Sequence, residues 1–125
     1  ISAAYETKLL ELLELLIYKQ SPILCSVKRI STKKKRVNLS FIQNGWTVAV
    51  DFPEYNFDHM SIRKFYTKLI EMEGKIYLAK DSTLLASEFK AMYTEHEKWK
   101  TVVKKVDPLN MYQSKMSHRL DLKEW

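Results

Sequence analysis

Two apolar stripes at helical spacing occur within the first 74 residues of the chain. The first stripe predicts an amphipathic helix over residues 4–19 that packs on a sheet, and its members are Leu9, Leu12, Leu13 and Leu16. The second stripe predicts a helix that begins after Asp58 or Ser61 as its cap and ends at Gly74. Its members are Ile62, Phe65, Leu69 and Met72.

Shorter helices are predicted in the last third of the chain. A helical turn is expected around residues 87–93, and Thr94 with Glu97 has the spacing of a capping box. The helix after that box has an apolar stripe at Trp99, Val102, Val103 and Val106. A last short helix is expected over residues 114–122.

Alternating stretches between the helices predict strands at residues 23–30 and 46–52, and a short one at 76–79. A further strand at 37–42 is expected to form a hairpin with 46–52, because Asn44-Gly45 supplies the positive φ angles of a tight turn. These elements predict an α+β fold. A small, mostly antiparallel sheet is covered by helices and followed by a C-terminal helical segment.

The alternation also assigns side chains to the faces of the strands. Cys25 falls on an apolar face and is expected to be a small buried residue, whereas Ser26 and Lys28 fall on the other face. In the strand at 46–52, the apolar row is expected to pack against the two helical stripes, and it comprises Trp46, Val48 and Val50. The opposite row suits a pocket wall or a solvated sheet face, and it comprises Thr47, Ala49 and Asp51.

Length and charge limit the classes of protein to consider. The 125 residues, 46% of them hydrophobic, can bury one core, so one compact unit is expected. The net charge is +6, and the run from Lys33 to Arg36 supplies four of these charges. That run is interpreted as a solvated loop tip or as a contact for a phosphate headgroup. A small basic nucleic-acid-binding module is the alternative reading, but no aromatic residue interleaves the run, so no nucleic acid partner is expected.

Catalytic and metal-binding motifs are scarce. The single cysteine excludes an internal disulfide and a four-cysteine metal site. His59, His96 and His118 have no ligand spacing, so no metal site is predicted. No glycine-rich phosphate loop is found, because the chain has only two glycines.

A series of local patterns nevertheless occurs in an informative order. They are Ser26-Val27-Lys28, Leu39-Ser40-Phe41, residues 45–53, residues 74–81, Ala91-Met92-Tyr93, Trp99, Val106-Asp107-Pro108 and residues 114–120. Over residues 21–122 the chain resembles the C-terminal stretch of FAD-linked oxidases of the vanillyl-alcohol-oxidase superfamily. The likeness is closest to the ribose-oxidase members, and aldonolactone oxidases are more distant relatives.

This resemblance implies an organisation and a reaction. Residues 1–75 are expected to be the last part of a substrate domain, and residues 76–125 a segment that returns to an N-terminal FAD-binding domain, most of which the chain lacks. The implied reaction is hydride transfer to FAD from a secondary hydroxyl carbon of a sugar-like or polyprenyl-phosphosugar substrate. The chain alone is expected to be inactive, and its surface from residue 76 onward to be covered by rearrangement or self-association. The implied compartment is the cytoplasm or the cytoplasmic face of the membrane.

The resemblance also implies roles for particular residues. Lys28 and Lys80 match catalytic lysines of the family. Lys28 matches the lysine that faces the substrate, and Lys80 matches the lysine that reaches both the flavin edge and the substrate. Tyr77 matches a residue that contacts the cofactor. Thr47 and Ala49 are expected to bind substrate, in slots that are asparagine and cysteine in the ribose-oxidase members, and these departures concern the identity of the substrate.

Overall fold

The computed structural model describes residues 1–18, 21–32 and 38–123. Within these ranges it has a two-stranded antiparallel sheet and five α-helices, which confirms the predicted α+β class. The strands are β1 (Leu24–Ile30) and β2 (Gly45–Asp51). The helices are α1 (Leu9–Ile17), α2 (His59–Glu71), α3 (Ala86–Met92), α4 (His96–Val106) and α5 (Lys115–Arg119). Short 3-10 helices occupy Ala3–Lys8, Glu54–Asn56 and Leu78–Lys80.

The described residues form two compact units, so the single unit expected from chain length is wrong. Unit 1 contains the described residues of 1–34 together with Ile42–Lys75, and unit 2 contains those of 35–41 and 76–125. No described helix has the length and apolar character that crossing a bilayer requires.

In unit 1, α1 packs against α2 along the two predicted stripes. Leu12 and Leu16 of α1 are buried, as are Ile62, Phe65 and Leu69 of α2. The Asp58 carboxylate caps α2 by accepting from the Met60 backbone N–H (3.0 Å), as predicted. The first helix starts later than expected. Residues 3–8 form a separate 3-10 helix, since Tyr5 has non-helical backbone angles.

The predicted hairpin between residues 37–42 and 46–52 is wrong. β2 pairs with β1, and residues 38–42 contain a turn at Leu39, whose φ is +59°. Val37 and the basic run lie outside the described residues. Gly45 opens β2 at a φ of +148°, and the backbone of Ile1 runs beside it. A Cβ on Gly45 would lie 2.2 Å from the Ile1 carbonyl oxygen, so glycine is required for this close approach.

Unit 2 has a small apolar core and several loops. Its most deeply buried side chains are Leu84, Phe89, Tyr93 and Leu120. The helix at Trp99–Val106 is confirmed, but it begins at His96 with Glu95 at the N-cap, so the predicted Thr94 cap is wrong. No residue of α4 is buried in this unit, although Val102 and Val106 are apolar.

The strand predicted at residues 76–79 is also wrong. The chain instead enters the 3-10 helix Leu78–Lys80 there. α5 is shorter than the expected 114–122, and Ser114 forms its N-cap by accepting from the Ser117 backbone N–H (3.0 Å).

Candidate active site

Three of the predicted site residues lie on one face of the sheet. In the antiparallel register Lys28 is opposite Thr47, and Ser26 is opposite Ala49. Residues directly opposite each other project from the same face, with Cβ atoms about 4.5–5.5 Å apart. The register therefore brings Lys28, Thr47 and Ala49 together on a surface that we call the lysine face, and Asp51 lies at its end.

The lysine face is open and polar. Lys28 and Ala49 are exposed, and Thr47 is half-buried. The Lys28 ammonium makes no ion pair or hydrogen bond with any residue that the structure describes. An ammonium group has three donors, and the Thr47 hydroxyl beside it can donate or accept. The small Ala49 side chain leaves room next to these polar groups. Such a face can bind hydroxyl or anionic groups of a ligand.

The opposite face of the sheet corrects one prediction. Cys25 is exposed, not buried. β1 has β2 as its neighbour on one side, and Val27 beside Cys25 is also 40% exposed. Alternation identifies the face on which a side chain lies, but it does not show whether another element covers that face. On β2, the apolar row is half-buried, and it comprises Trp46, Val48 and Val50. Outside the sheet, β2 contacts the 3-10 helix Ala3–Lys8, and the packing of the row on α1 and α2 stays a prediction.

The other two predicted site residues lie together in unit 2. Tyr77 immediately precedes the 3-10 helix that ends at Lys80, and the Lys80 backbone N–H donates to the Tyr77 carbonyl oxygen (2.8 Å). Tyr77 is half-exposed and its ring centroid lies 4.5 Å from that of Phe41. The Lys80 side chain is exposed. One turn thus presents an aromatic ring and a cation, which we call the Tyr77–Lys80 turn.

Buried polar groups on both sides of this turn were missed by sequence reasoning. Asp81 is only 8% exposed, and its carboxylate accepts from Arg119 Nη2 (2.9 Å). Arg119 Nη1 also donates to the Leu84 carbonyl oxygen. On the other side, the Tyr93 hydroxyl donates to the Ile76 carbonyl oxygen (2.5 Å). All these side chains fall within the motifs that carry the family resemblance. Those motifs were the only sequence signal that could have identified them.

A second buried polar cluster, around Asp107, lies near the C-terminal end of unit 2. The Asp107 carboxylate accepts from Lys123 Nζ (2.6 Å) and from the backbone N–H groups of Met111 (2.8 Å) and Tyr112 (3.2 Å). The Lys123 hydrogen bond, followed by those backbone donors, holds the pKa of the Asp107 carboxyl below its usual range. This carboxylate fixes the loop after α4.

The lysine face belongs to unit 1 and the Tyr77–Lys80 turn belongs to unit 2. Among residues 1–18, 21–32 and 38–123, no group of three His, Cys, Asp or Glu side chains has an arrangement that could hold a metal ion.

The chemistry of these residues fits part of an FAD molecule. An exposed ring and cation, as in Tyr77 and Lys80, suit the edge of an isoalloxazine, where a cation offsets negative charge. The pyrophosphate requires backbone amides at a glycine-rich turn or helix N-terminus. The Ile1 backbone packs directly against Gly45, and a Cβ on Gly74 would lie 2.1 Å from Leu69 Cδ1. Both glycines of the chain thus have structural roles, and neither belongs to a phosphate loop.

Two comparisons with known proteins connect these features to a family. The model of the D-arabinono-1,4-lactone oxidase family matches residues 4–120. Decaprenylphosphoryl-beta-D-ribose oxidase of Mycolicibacterium smegmatis (strain ATCC 700084 / mc(2)155) is 38% identical over 84 residues, which are 67% of this chain and 18% of that protein. Both matches confirm the predicted recognition of an oxidoreductase family. Since the family model covers most of the sequence, the chain belongs to the D-arabinono-1,4-lactone oxidase family.

Proposed function

We propose that this chain is the C-terminal part of an FAD-dependent oxidoreductase that oxidises a secondary hydroxyl of a sugar-like or sugar-phosphate substrate. The observation that carries the proposal is the sheet register, which sets Lys28 opposite Thr47 and next to Ala49 on one open face. The names of the family and of the M. smegmatis relative, a lactone oxidase and a ribose oxidase, support the reaction class. Residues 1–75 are then the end of the substrate domain and residues 76–125 the segment that returns to the flavin domain.

Lys28 acts on the substrate in this proposal. Its exposed ammonium donates a hydrogen bond to the reacting hydroxyl or to a neighbouring anionic group, and so holds the carbinol carbon in place. The Thr47 hydroxyl directly opposite fixes a second polar group of the substrate. Ala49 shapes the surface between them. Thr47 and Ala49 depart from the asparagine and cysteine of the ribose-oxidase members, and they therefore set the substrate preference among sugars.

Tyr77 and Lys80 act on the cofactor side. FAD, when bound, would accept the hydride from the carbinol carbon, and the hydroxyl proton would pass to a general base or to solvent. The exposed Lys80 ammonium stabilises the negative charge that accumulates at the edge of the ring system, and the half-exposed Tyr77 ring contacts the cofactor. Neither side chain is among the buried apolar residues of unit 2, which are Leu84, Phe89, Met92, Tyr93, Leu120 and Leu122.

The test is rapid-kinetic measurement of flavin reduction in the full-length FAD-loaded protein. Lys28→Ala and Lys80→Ala are each expected to slow reduction by about 10²-fold or more, on the scale of lost transition-state stabilisation, with little change in melting temperature. Matched controls are Arg29→Ala, on the opposite face of β1, and Lys104→Ala, an exposed lysine of α4. Rates equal to those of the parent protein in both lysine variants contradict the proposal.

The chain by itself is expected to bind no FAD with micromolar affinity and to have no oxidase activity. Two contacts from Tyr77 and Lys80 do not offset the several kcal/mol that association costs in lost freedom. A fluorescence titration with FAD measures this, and stoichiometric micromolar binding by these 125 residues contradicts it. The alternative of a basic nucleic-acid-binding module is not favoured, because no aromatic residue interleaves its basic run.

A further inference from the structure

The Tyr77–Lys80 turn is held at both ends by side chains from distant parts of unit 2. The Tyr93 hydroxyl, from the end of α3, binds the carbonyl of Ile76, immediately before the turn. Arg119, the last residue of α5, binds the carboxylate of Asp81, immediately after it. The intervening residues 77–80 project an exposed cation and a half-exposed ring. The two bonds thus fix the ends of a short segment whose own side chains are accessible.

The Asp81–Arg119 ion pair is partly buried. The Asp81 side chain is 10% exposed and that of Arg119 is 33% exposed, so both charges are partly removed from water. Partly buried ion pairs of this kind contribute little net stability, because desolvation offsets their attraction. Arg119 also donates to the Leu84 carbonyl oxygen, and the Leu84 N–H donates to the Asp81 carbonyl oxygen (2.8 Å). These bonds define one conformation of residues 81–84 and one exit direction for the turn.

The Tyr93 bond is equally well defined. The Tyr93 ring is 1% exposed and stacks on Phe89 with centroids 5.3 Å apart. Burial, followed by the negative charge of Asp81, raises the pKa of the Tyr93 phenol well above its usual range. The phenol is therefore protonated near neutral pH and can donate to the Ile76 carbonyl oxygen.

We propose that Tyr93, Asp81 and Arg119 are positioning residues that fix the direction in which Lys80 meets the flavin. This inference rests on the proposed function, because it requires that Lys80 acts on FAD. The three residues do not touch substrate or cofactor in this proposal, and they act through the backbone of residues 76–81. An ion pair that contributes little net stability can still specify one backbone conformation, and the proposed chemistry requires such a conformation at Lys80.

A double-mutant cycle in the full-length FAD-loaded protein tests the proposal. Tyr93→Phe removes only the hydroxyl and keeps the ring that stacks on Phe89, so we expect the variant to fold. It is expected to slow flavin reduction by about fivefold, on the scale of one hydrogen bond. In the Lys80→Ala background the same change should cause no further loss, because residues acting through one another are not additive. Arg119→Met is expected to behave likewise and more strongly.

The reduction potential of the bound flavin gives a readout besides activity. Lys80→Ala should lower it by removing a cation that favours the reduced state, and Tyr93→Phe should lower it by less. The matched control is Lys123→Met, which breaks the comparable buried pair with Asp107 and should reduce thermal stability without changing rate or potential.

Each outcome decides between the two proposals. Rate losses from Tyr93→Phe and Lys80→Ala that multiply, or a Tyr93→Phe protein that only melts earlier, overturn the positioning role and leave the proposed function standing. If Lys80→Ala itself changes neither rate nor potential, both proposals fail at this residue. Should Arg119→Met not fold, the Tyr93→Phe cycle alone decides.

Discussion

The helix pair of unit 1 and the loops of unit 2 are stabilised in different ways. α1 and α2 bury apolar side chains that recur at helical spacing, and one polar cap at Asp58 begins the second helix. Unit 2 buries a smaller apolar cluster and adds the Asp81–Arg119 and Asp107–Lys123 pairs. Regular elements are thus fixed by periodic burial, whereas the segment that carries Tyr77 and Lys80 is fixed by hydrogen bonds between residues far apart in sequence.

The largest expected effect tests whether apolar burial still dominates unit 2. Phe89 is fully buried, so Phe89→Ala should cost about 3–5 kcal/mol through lost transfer free energy and a residual cavity. Chemical denaturation followed by circular dichroism measures the loss. Leu109→Ala is the control, since Leu109 is 79% exposed and should change stability by less than about 0.5 kcal/mol. If Phe89→Ala lowers the free energy of unfolding as little as Leu109→Ala does, apolar burial does not dominate unit 2, and its polar pairs become the main source of stability.

The next effect concerns the two glycines of unit 1. Gly45→Ala should cost about 1–3 kcal/mol, because a side chain at a φ of +148° is strained and its Cβ meets the Ile1 and Ala3 backbone. Gly74→Ala should cost less, since Gly74 has no positive φ and its added Cβ meets the Leu69 side chain more closely than any backbone atom. Thermal melts of both variants rank them. An order reversed from this one contradicts the close approach of residues 1–3 to β2.

The third effect concerns the pH dependence of unit 2. The pKa of Asp107 is lowered in the folded state, so this carboxylate stabilises the protein above the usual pKa of about 4. That contribution is lost as the pH falls through the lowered pKa. Asp107→Asn should therefore flatten the acid limb of stability below about pH 4, measured by denaturant midpoints. A carbon-detected NMR titration of Asp107 with a midpoint above 4 would contradict this assignment.

The sequence predicted what depends on local periodicity. Both helical stripes, the Asp58 cap and the strand at 46–52 are confirmed, because burial on one face leaves a repeat in the sequence. The predicted hairpin was wrong because the Asn44-Gly45 pair has two possible uses. It fits a tight turn, and it fits equally well the start of a strand beside Ile1. Only the tertiary approach of residues 1–3 distinguishes these two uses of glycine.

The candidate site shows the same limit. Alternation placed Lys28 away from the apolar row, and Thr47 with Ala49, but no pattern specified that Lys28 lies opposite Thr47, because register depends on which strands pair. The roles of Lys28, Lys80 and Tyr77 remain predictions from the family resemblance. The Arg119 and Tyr93 bonds connect residues 38 and 17 positions from their partners, and no local repeat encodes such contacts.

The smallest effect on stability tests the exposed face of β1. Cys25 is exposed, so a thiol reagent such as Ellman's reagent should modify it stoichiometrically in native buffer. Cys25→Ser should change the free energy of unfolding by less than about 0.5 kcal/mol, the range of surface substitutions. Because Cys25 lies opposite Val50, on the face away from Lys28, the modification should leave the lysine face unaltered. A native protein that reacts only in denaturant would restore the buried position expected from alternation, and would mean that another surface covers this strand in solution.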